Sequence, residues 1–410
     1  MTRKVVVTGI GPVTPVGIGR KAFWDAMVSG RSGIGEITLF DASEFPVKIA
    51  GEVRDFDPTT WMDRKAVRRT DRVVHLAVAA AKLAWEDAGN PRVDPERAAV
   101  VVSTGVGGLQ YMEDQVRVLA TRGPDRVSAF TVPAMMPNAA TGTIAMELGF
   151  TGPNACITTA CAAGAHGVGE AYRYIKHGMS DLAIAGGTEA GVTPLALAAF
   201  AQMQALSRNN SDPEGASRPF DAARDGFVIS EAACVLVLEE EERAREREAT
   251  IYAEVAGYGT SADAFHITQP EPQGSGAVLA MQMALADAGE DAEAVDYVNA
   301  HGTSTQLNDA AETRAIKKAL GDHAYRTAIS STKSMTGHMV GAAGAAEAAA
   351  AALAVKEGTI PPTTNYETPD PECDLDYVPN EARKGEVGLA LSNAFGFGGQ
   401  NAVIALRRVA

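Results

Sequence analysis

The chain has 410 residues, 46% hydrophobic and 6% aromatic, enough to bury a large core of Ala, Val, Ile, Leu and Gly, which excludes a disordered or fibrous protein. Its formal net charge of −15 excludes a general affinity for nucleic acid or anionic membranes, so an acidic partner would need a local basic patch. Four cysteines, Cys156, Cys161, Cys234 and Cys373, make no C-x-x-C pair and no metal spacing with histidine, which points to a reducing cytosol and not to a disulfide framework or metal site.

The opening M-T-R-K-V-V-V-T-G-I-G reads as a strand and lacks an apolar stretch of signal-peptide length, so a soluble, cytoplasmic protein is expected. Gly9-Ile-Gly11 invites a dinucleotide-binding reading, but the third glycine of that fingerprint would fall on Thr14. The run D-R-K-A-V-R-R-T-D-R predicts a helix with Arg64, Lys65, Arg68, Arg69 and Arg72 on one side. It is either a solvated face or a docking surface for an acidic partner.

Beyond it, short β-branched runs alternate with longer helical patterns. The series runs through 73–87, 98–104, 165–178, 181–185 and 234–239, and a similar one follows through 251–257, 276–288, 294–299, 327–331, 341–358, 389–393 and 402–406. Strands separated by helices predict an α/β fold with largely parallel pairing, and no linker composition interrupts it. The second series repeats the first, giving expected halves at 1–249 and 250–410. In one, a strand-like 156–159 leads to Cys161 and C-A-A-G-A-H-G-V-G; in the other, 328–331 leads to His338 and H-M-V-G-A-A-G. Related halves would put Cys161 and His338 at equivalent helix starts, facing each other. The alanine-rich stretch 341–355 contains Glu347, which suits an internal helix better than a membrane span.

A thiol at a helix N-terminus is favoured as thiolate by the free N–H groups there, so Cys161 in T-A-C-A-A-G is a candidate nucleophile. An inert buried cysteine is the alternative. His301 in N-A-H-G-T-S-T and His338 in K-S-M-T-G-H are two of seven histidines, and both follow strands, where α/β sheets carry their sites. Lys333 and Glu312 are candidate supporting charges, or an unrelated pair. The glycine-rich loop 395–399, F-G-F-G-G, either offers backbone N–H groups to an oxyanion or is a tight turn.

These motifs, with V-T-G-I-G, D-L-A-I-A-G-G-T-E and S-R-P-F-D-A-A-R-D-G-F, make the sequence resemble the elongating β-ketoacyl-acyl carrier protein synthases of bacterial fatty acid synthesis from Val5 to the C-terminus. The resemblance implies a thiolase-like fold, two pseudo-symmetric halves in a five-layered α-β-α-β-α arrangement, assembled as a homodimer. It implies a decarboxylative Claisen condensation of a Cys161-bound acyl chain with malonyl-acyl carrier protein. Cys161, His301, His338, Lys333 and Glu312 would be catalytic, with the oxyanion held by the N–H groups of Cys161 and Phe397. Thr303 and Thr305 would contact the pantetheine arm, Phe397 would gate the site and Val106 would tune pocket depth. Lys65, Arg68 and Arg69 would dock the acidic acyl carrier protein, which brings its own phosphopantetheine, so no resident cofactor or metal is implied.

The spellings Q-L-N-D after H-G-T-S-T and D-H-A-Y-R-T downstream resemble the ketosynthase subunits of type II polyketide systems, which pair with a non-catalytic chain-length subunit. Such a ketosynthase is the alternative reading. A thiolase is less well matched, since the C-terminal glycine loop holds no cysteine, and Cys161 argues against the non-catalytic partner.

Overall fold

Runs of β-branched and alanine residues build two sheets of matching topology in the computed structural model, which describes residues 3–409. Met1, Thr2 and Ala410, the outer limits of the expected halves, lie outside the described residues. The first half supplies β1 (Val5–Thr14), β2 (Ala98–Ser103), β3 (Asn154–Ala155), β4 (Leu182–Glu189) and β5 (Ala232–Glu240). The second supplies β6 (Ala253–Ala262), β7 (Tyr297–Asn299), β8 (Ala328–Ser330), β9 (Leu389–Gly396) and β10 (Gln400–Arg407). Their spatial orders are β3-β2-β4-β5-β1 and β8-β7-β9-β10-β6. In the first sheet β3·β2 and β2·β4 are parallel while β4·β5 and β5·β1 are antiparallel. The second follows the same rule strand for strand. The sheets join where Val5–Val7 pair with Ala253–Val255.

The helices fill the remaining layers. α1 (Arg72–Asp87) covers the outer face of the first sheet and α3 (Ser275–Ala288), with α4 (Gln306–Leu320), that of the second. Between the sheets lie α2 (Ala163–Lys176) and α5 (Ala343–Glu357), each touching strands of both halves. This is the five-layered thiolase-like arrangement. A helix enclosed on all sides carries no polar stripe, and α5 is buried from Ala343 to Val355. The central helices cross at glycine: a Cβ on Gly164 would stand 2.8 Å from Gly341 O, and one on Gly344 would stand 2.7 Å from Ala165 N. The G-x-G of β1 has the same use. A Cβ on Gly11 would lie 2.1 Å from Ala80 O of α1, and one on Gly259 of β6 would lie 1.9 Å from Ala280 O of α3.

The basic run does not form one helix. A short helix, Arg64–Val67, is capped by Asp63; the chain then turns, and Asp71 caps the start of α1. Arg72 faces inward, with Nε 2.7 Å from the buried carboxylate of Glu231, so it leaves the proposed docking face. Arg64, Lys65, Arg68 and Arg69 remain exposed, and the Arg69 guanidinium lies 4.4 Å above the Phe130 ring. Among the described residues all four cysteines are unpaired, and no helix is long and apolar enough to cross a membrane.

Candidate active site

Cys161 sits in a single 3-10 turn, Ala160–Ala162, that runs into α2. The strand expected over 156–159 is absent: pairing ends at Ala155, and Ala160 takes φ 48°, a left-handed backbone uncommon for a residue with a Cβ. The second half repeats this turn at Val340–Ala342, with Val340 at φ 43°. Matching the turns pairs Ala160 with Val340 and Cys161 with Gly341. His338 is therefore not the counterpart of Cys161 but precedes that position by three residues. The two side chains do face each other, with His338 Nε2 3.0 Å from Cys161 Sγ. The His301 ring stands edge-on to His338 with centroids 5.4 Å apart.

The expected lowering of the Cys161 pKa is outweighed. Burial pushes the thiol up to about 11, against the pull of Lys333 and the Phe397 N–H. The resting group is a thiol, and His338 is its hydrogen-bond partner.

Glu312 reaches the site from α4 and accepts the N–H groups of His301 at 2.8 Å and Gly302 at 2.7 Å, and the Asn393 side chain at 3.1 Å. Burial pushes its carboxyl up to about 7 against these donors. Glu312 thus holds the loop that carries His301, not the ring. Lys333 acts on the ring: its Nζ lies 3.3 Å from His301 Nδ1, donates to His301 O at 2.6 Å and pairs with Glu347. An ammonium has no acceptor, so Nδ1 must accept and the proton of the neutral imidazole sits on Nε2. Burial, then Lys333, then His338 hold His301 well below the ordinary histidine value; burial and Lys333 do the same to His338. Both are neutral donors.

Lys333 and Glu312 are both supporting charges, as the sequence suggests, but they do not pair with each other: the counter-charge of Lys333 is Glu347, the single acid in the otherwise apolar body of α5. Removing one partner of a buried pair typically costs about 3 to 5 kcal/mol. Glu347→Gln is expected to lower stability on that scale, measured as the shift of the denaturation midpoint; an unchanged midpoint would show that the pair carries no such weight. Arg224, fully buried, was missed as well. It donates to the carbonyls of Asp221, Thr305 and Gln306 and pairs with Asp370. That fixes the loop on which Thr303 and Thr305 stand, with Ser304 between them at φ 69°.

Cys161, His301, His338, Thr303, Thr305, Val106 and Phe397 line one cavity of about 490 Å³. The glycine-rich loop closes over the nucleophile, since a Cβ on Gly396 would stand 3.4 Å from Cys161 N. Lys65, Arg68 and Arg69 lie outside this cavity. Asn299 and Ser392 are register partners on adjacent strands; they, Asn393 and the second Glu347 oxygen leave buried polar atoms without hydrogen-bond partners. Among the described residues no group of three or more His, Cys, Asp and Glu could hold a metal.

Family models match most of the chain: the β-ketoacyl synthase N-terminal domain over residues 2–244 and its C-terminal domain over 252–367. A 3-oxoacyl-[acyl-carrier-protein] synthase 2 of Synechocystis is 50% identical over 99% of this chain and 98% of the relative. Among solved structures, the ishigamide ketosynthase/chain length factor superposes with a TM-score of 0.94 at 37% identity, covering 100% of both chains. A type II polyketide ketosynthase in complex with its acyl-carrier protein gives 0.93 at 35% identity, again over 100% of both chains.

Proposed function

The chain belongs to the β-ketoacyl synthase family and is an acyl-transferring condensing enzyme of the fatty acid elongating type, and from that premise we propose how its residues divide the work. The observation that carries the reading is the convergence of a buried thiol and two neutral histidines in one cavity. Sγ of Cys161 attacks the carbonyl of a carrier-bound acyl thioester, and the N–H groups of Cys161 and Phe397 receive the oxyanion. The Sγ proton leaves with the carrier thiol, and His338, hydrogen-bonded beside Sγ, keeps its Nε2–H. Malonyl thioester then binds in its place and loses CO₂. The negative charge that develops on its thioester oxygen is met by Nε2–H of His301, fixed there by Lys333, and Nε2–H of His338. The resulting carbanion attacks the Cys161 thioester, expels Sγ and yields a 3-oxoacyl chain two carbons longer.

Thr303 and Thr305, whose hydroxyls lie 2.9 Å apart, face the incoming pantetheine arm. That arm arrives on the acyl carrier protein, and no resident organic cofactor has a part in these steps. Phe397, with its ring centroid 6.5 Å from that of Phe200, gates the entrance. The fatty acid reading is supported by 50% identity to the Synechocystis synthase, against 35% to the type II polyketide ketosynthase and 37% to the ishigamide ketosynthase. A homodimer is supported by the open edge strand β3 and by the exposed apolar side chains Val116, Val132, Met136 and Met146 in the segment that precedes it. The four unpaired cysteines among the described residues support a reducing, cytoplasmic setting.

The docking face is Lys65, Arg68 and Arg69, none of which has an acidic partner among the described residues. Changing these three to Glu is expected to raise the apparent KM for carrier-bound substrates about tenfold, through lost electrostatic steering. Small thioester mimics should be untouched. Equal effects on both substrate forms would reject the docking assignment.

A further inference from the structure

Glu189 ends β4 and is 2% exposed, behind the cavity wall and not in it. Its carboxylate gathers four donors. Oε2 accepts Gly105 N at 2.7 Å and Gly341 N at 3.1 Å; Oε1 accepts Thr104 Oγ1 at 3.0 Å and Val106 N at 3.3 Å. Three of these donors belong to the loop after β2, in the first half. The fourth belongs to the 3-10 turn that follows His338, in the second. The contact leaves no slack: a Cβ on Gly105 would lie 3.1 Å from Val340 Cγ1 and 3.4 Å from Ala160 O, and one on Gly341 would lie 2.3 Å from Gly105 N. Gly105, Val106, Ala160 and Val340 form the cavity wall beside Cys161.

We propose that Glu189 is a positioning residue that sets acyl-length specificity, by holding the Val106 loop of one half against the Val340 turn of the other and so fixing the wall against which the acyl chain on Cys161 packs. The inference rests on the reading of Cys161 as the acyl holder. An anion is needed here because a neutral amide offers one acceptor oxygen, and its NH₂ would face N–H groups already pointing at it. Burial pushes the carboxyl up from its ordinary value, against the pull of these same donors. The wall is therefore held by a group that water does not screen.

The test compares Glu189→Gln, Val106→Phe and the native enzyme for acyl transfer to Cys161 from short- and long-chain acyl carriers, read by intact-protein mass spectrometry, and for malonyl-carrier decarboxylation. Glu189→Gln is expected to change the long-to-short ratio of acyl transfer about tenfold, the scale of a pocket misfitted by one methylene. Decarboxylation, which needs the histidines and not the acyl wall, should stay within about threefold. An unchanged ratio, or an equal loss at all chain lengths and in decarboxylation, would overturn the proposal. Val106→Phe separates it from the reading beneath it: if filling the wall also leaves the ratio unchanged, the acyl chain does not lie there at all. Should Glu189→Gln fail to fold, Thr104→Val removes one donor at equal volume and should shift the ratio in the same direction by a smaller factor. A native ratio in that variant would count equally against the proposal.

Discussion

Cys161→Ala is expected to abolish condensation while malonyl-carrier decarboxylation continues. The two half-reactions use different atoms of the same cavity. Acyl transfer needs Sγ, which bonds to the acyl carbon, whereas decarboxylation needs only hydrogen-bond donors for the developing negative charge. The substitution removes a side chain that is 8% exposed and hydrogen-bonded to His338 Nε2, and His301 keeps its Lys333 and Glu312 supports. The measurement is 3-oxoacyl product and released CO₂ from the same incubation. Normal elongation by this variant would remove Cys161 from the mechanism, and loss of both products would mean that the thiol also positions the malonyl group.

His301→Ala and His338→Ala should each slow decarboxylation by about two to three orders of magnitude, since losing one oxyanion-type donor costs roughly 2.7 to 4 kcal/mol. The two variants should differ in a second respect. His338 is the partner of the thiol, so its removal also slows acyl transfer to Cys161. His301 is not, and its variant should still load the acyl chain. Lys333→Met offers an internal check: with no donor opposite Nδ1, the His301 proton is no longer confined to Nε2, and decarboxylation should fall although both imidazoles remain. Rates within about threefold of native in both histidine variants would make these rings structural.

Much of the fold could be read from the chain because its signals are local. Alternating strand and helix patterns, glycines after helix ends and the small-residue runs at Cys161 and Val340 lie within a few positions of what they specify. The repeat is legible in the chain as a topology but not in its register: the reactive side chains suggest matching Cys161 with His338, whereas the backbone turns match Cys161 with Gly341. Arg72 was misassigned for a comparable reason. Helical spacing gives a side for each residue but cannot say that Asp71 restarts the helix or that Glu231 waits inside. The supporting carboxylates were the least legible. Glu189 meets Gly341 across 152 positions, and no pattern in a one-dimensional string marks that contact. Glu347 carries a faint signal as the lone buried acid in an alanine-rich helix. It was read as excluding a membrane span, when the same observation, a charge with nowhere to go, called for a buried counter-ion.

The division of the site between two turns also orders events in time. Cys161 leaves the ribosome long before His338 and the Phe397 loop exist, and the thiol then has no histidine partner and no complete oxyanion hole. A nascent or truncated chain therefore carries this cysteine without the groups that speed acyl transfer to it in the finished fold. Competence arrives only when α5 docks beside α2 and the second turn meets the first, so completion of the fold is itself the licence for chemistry.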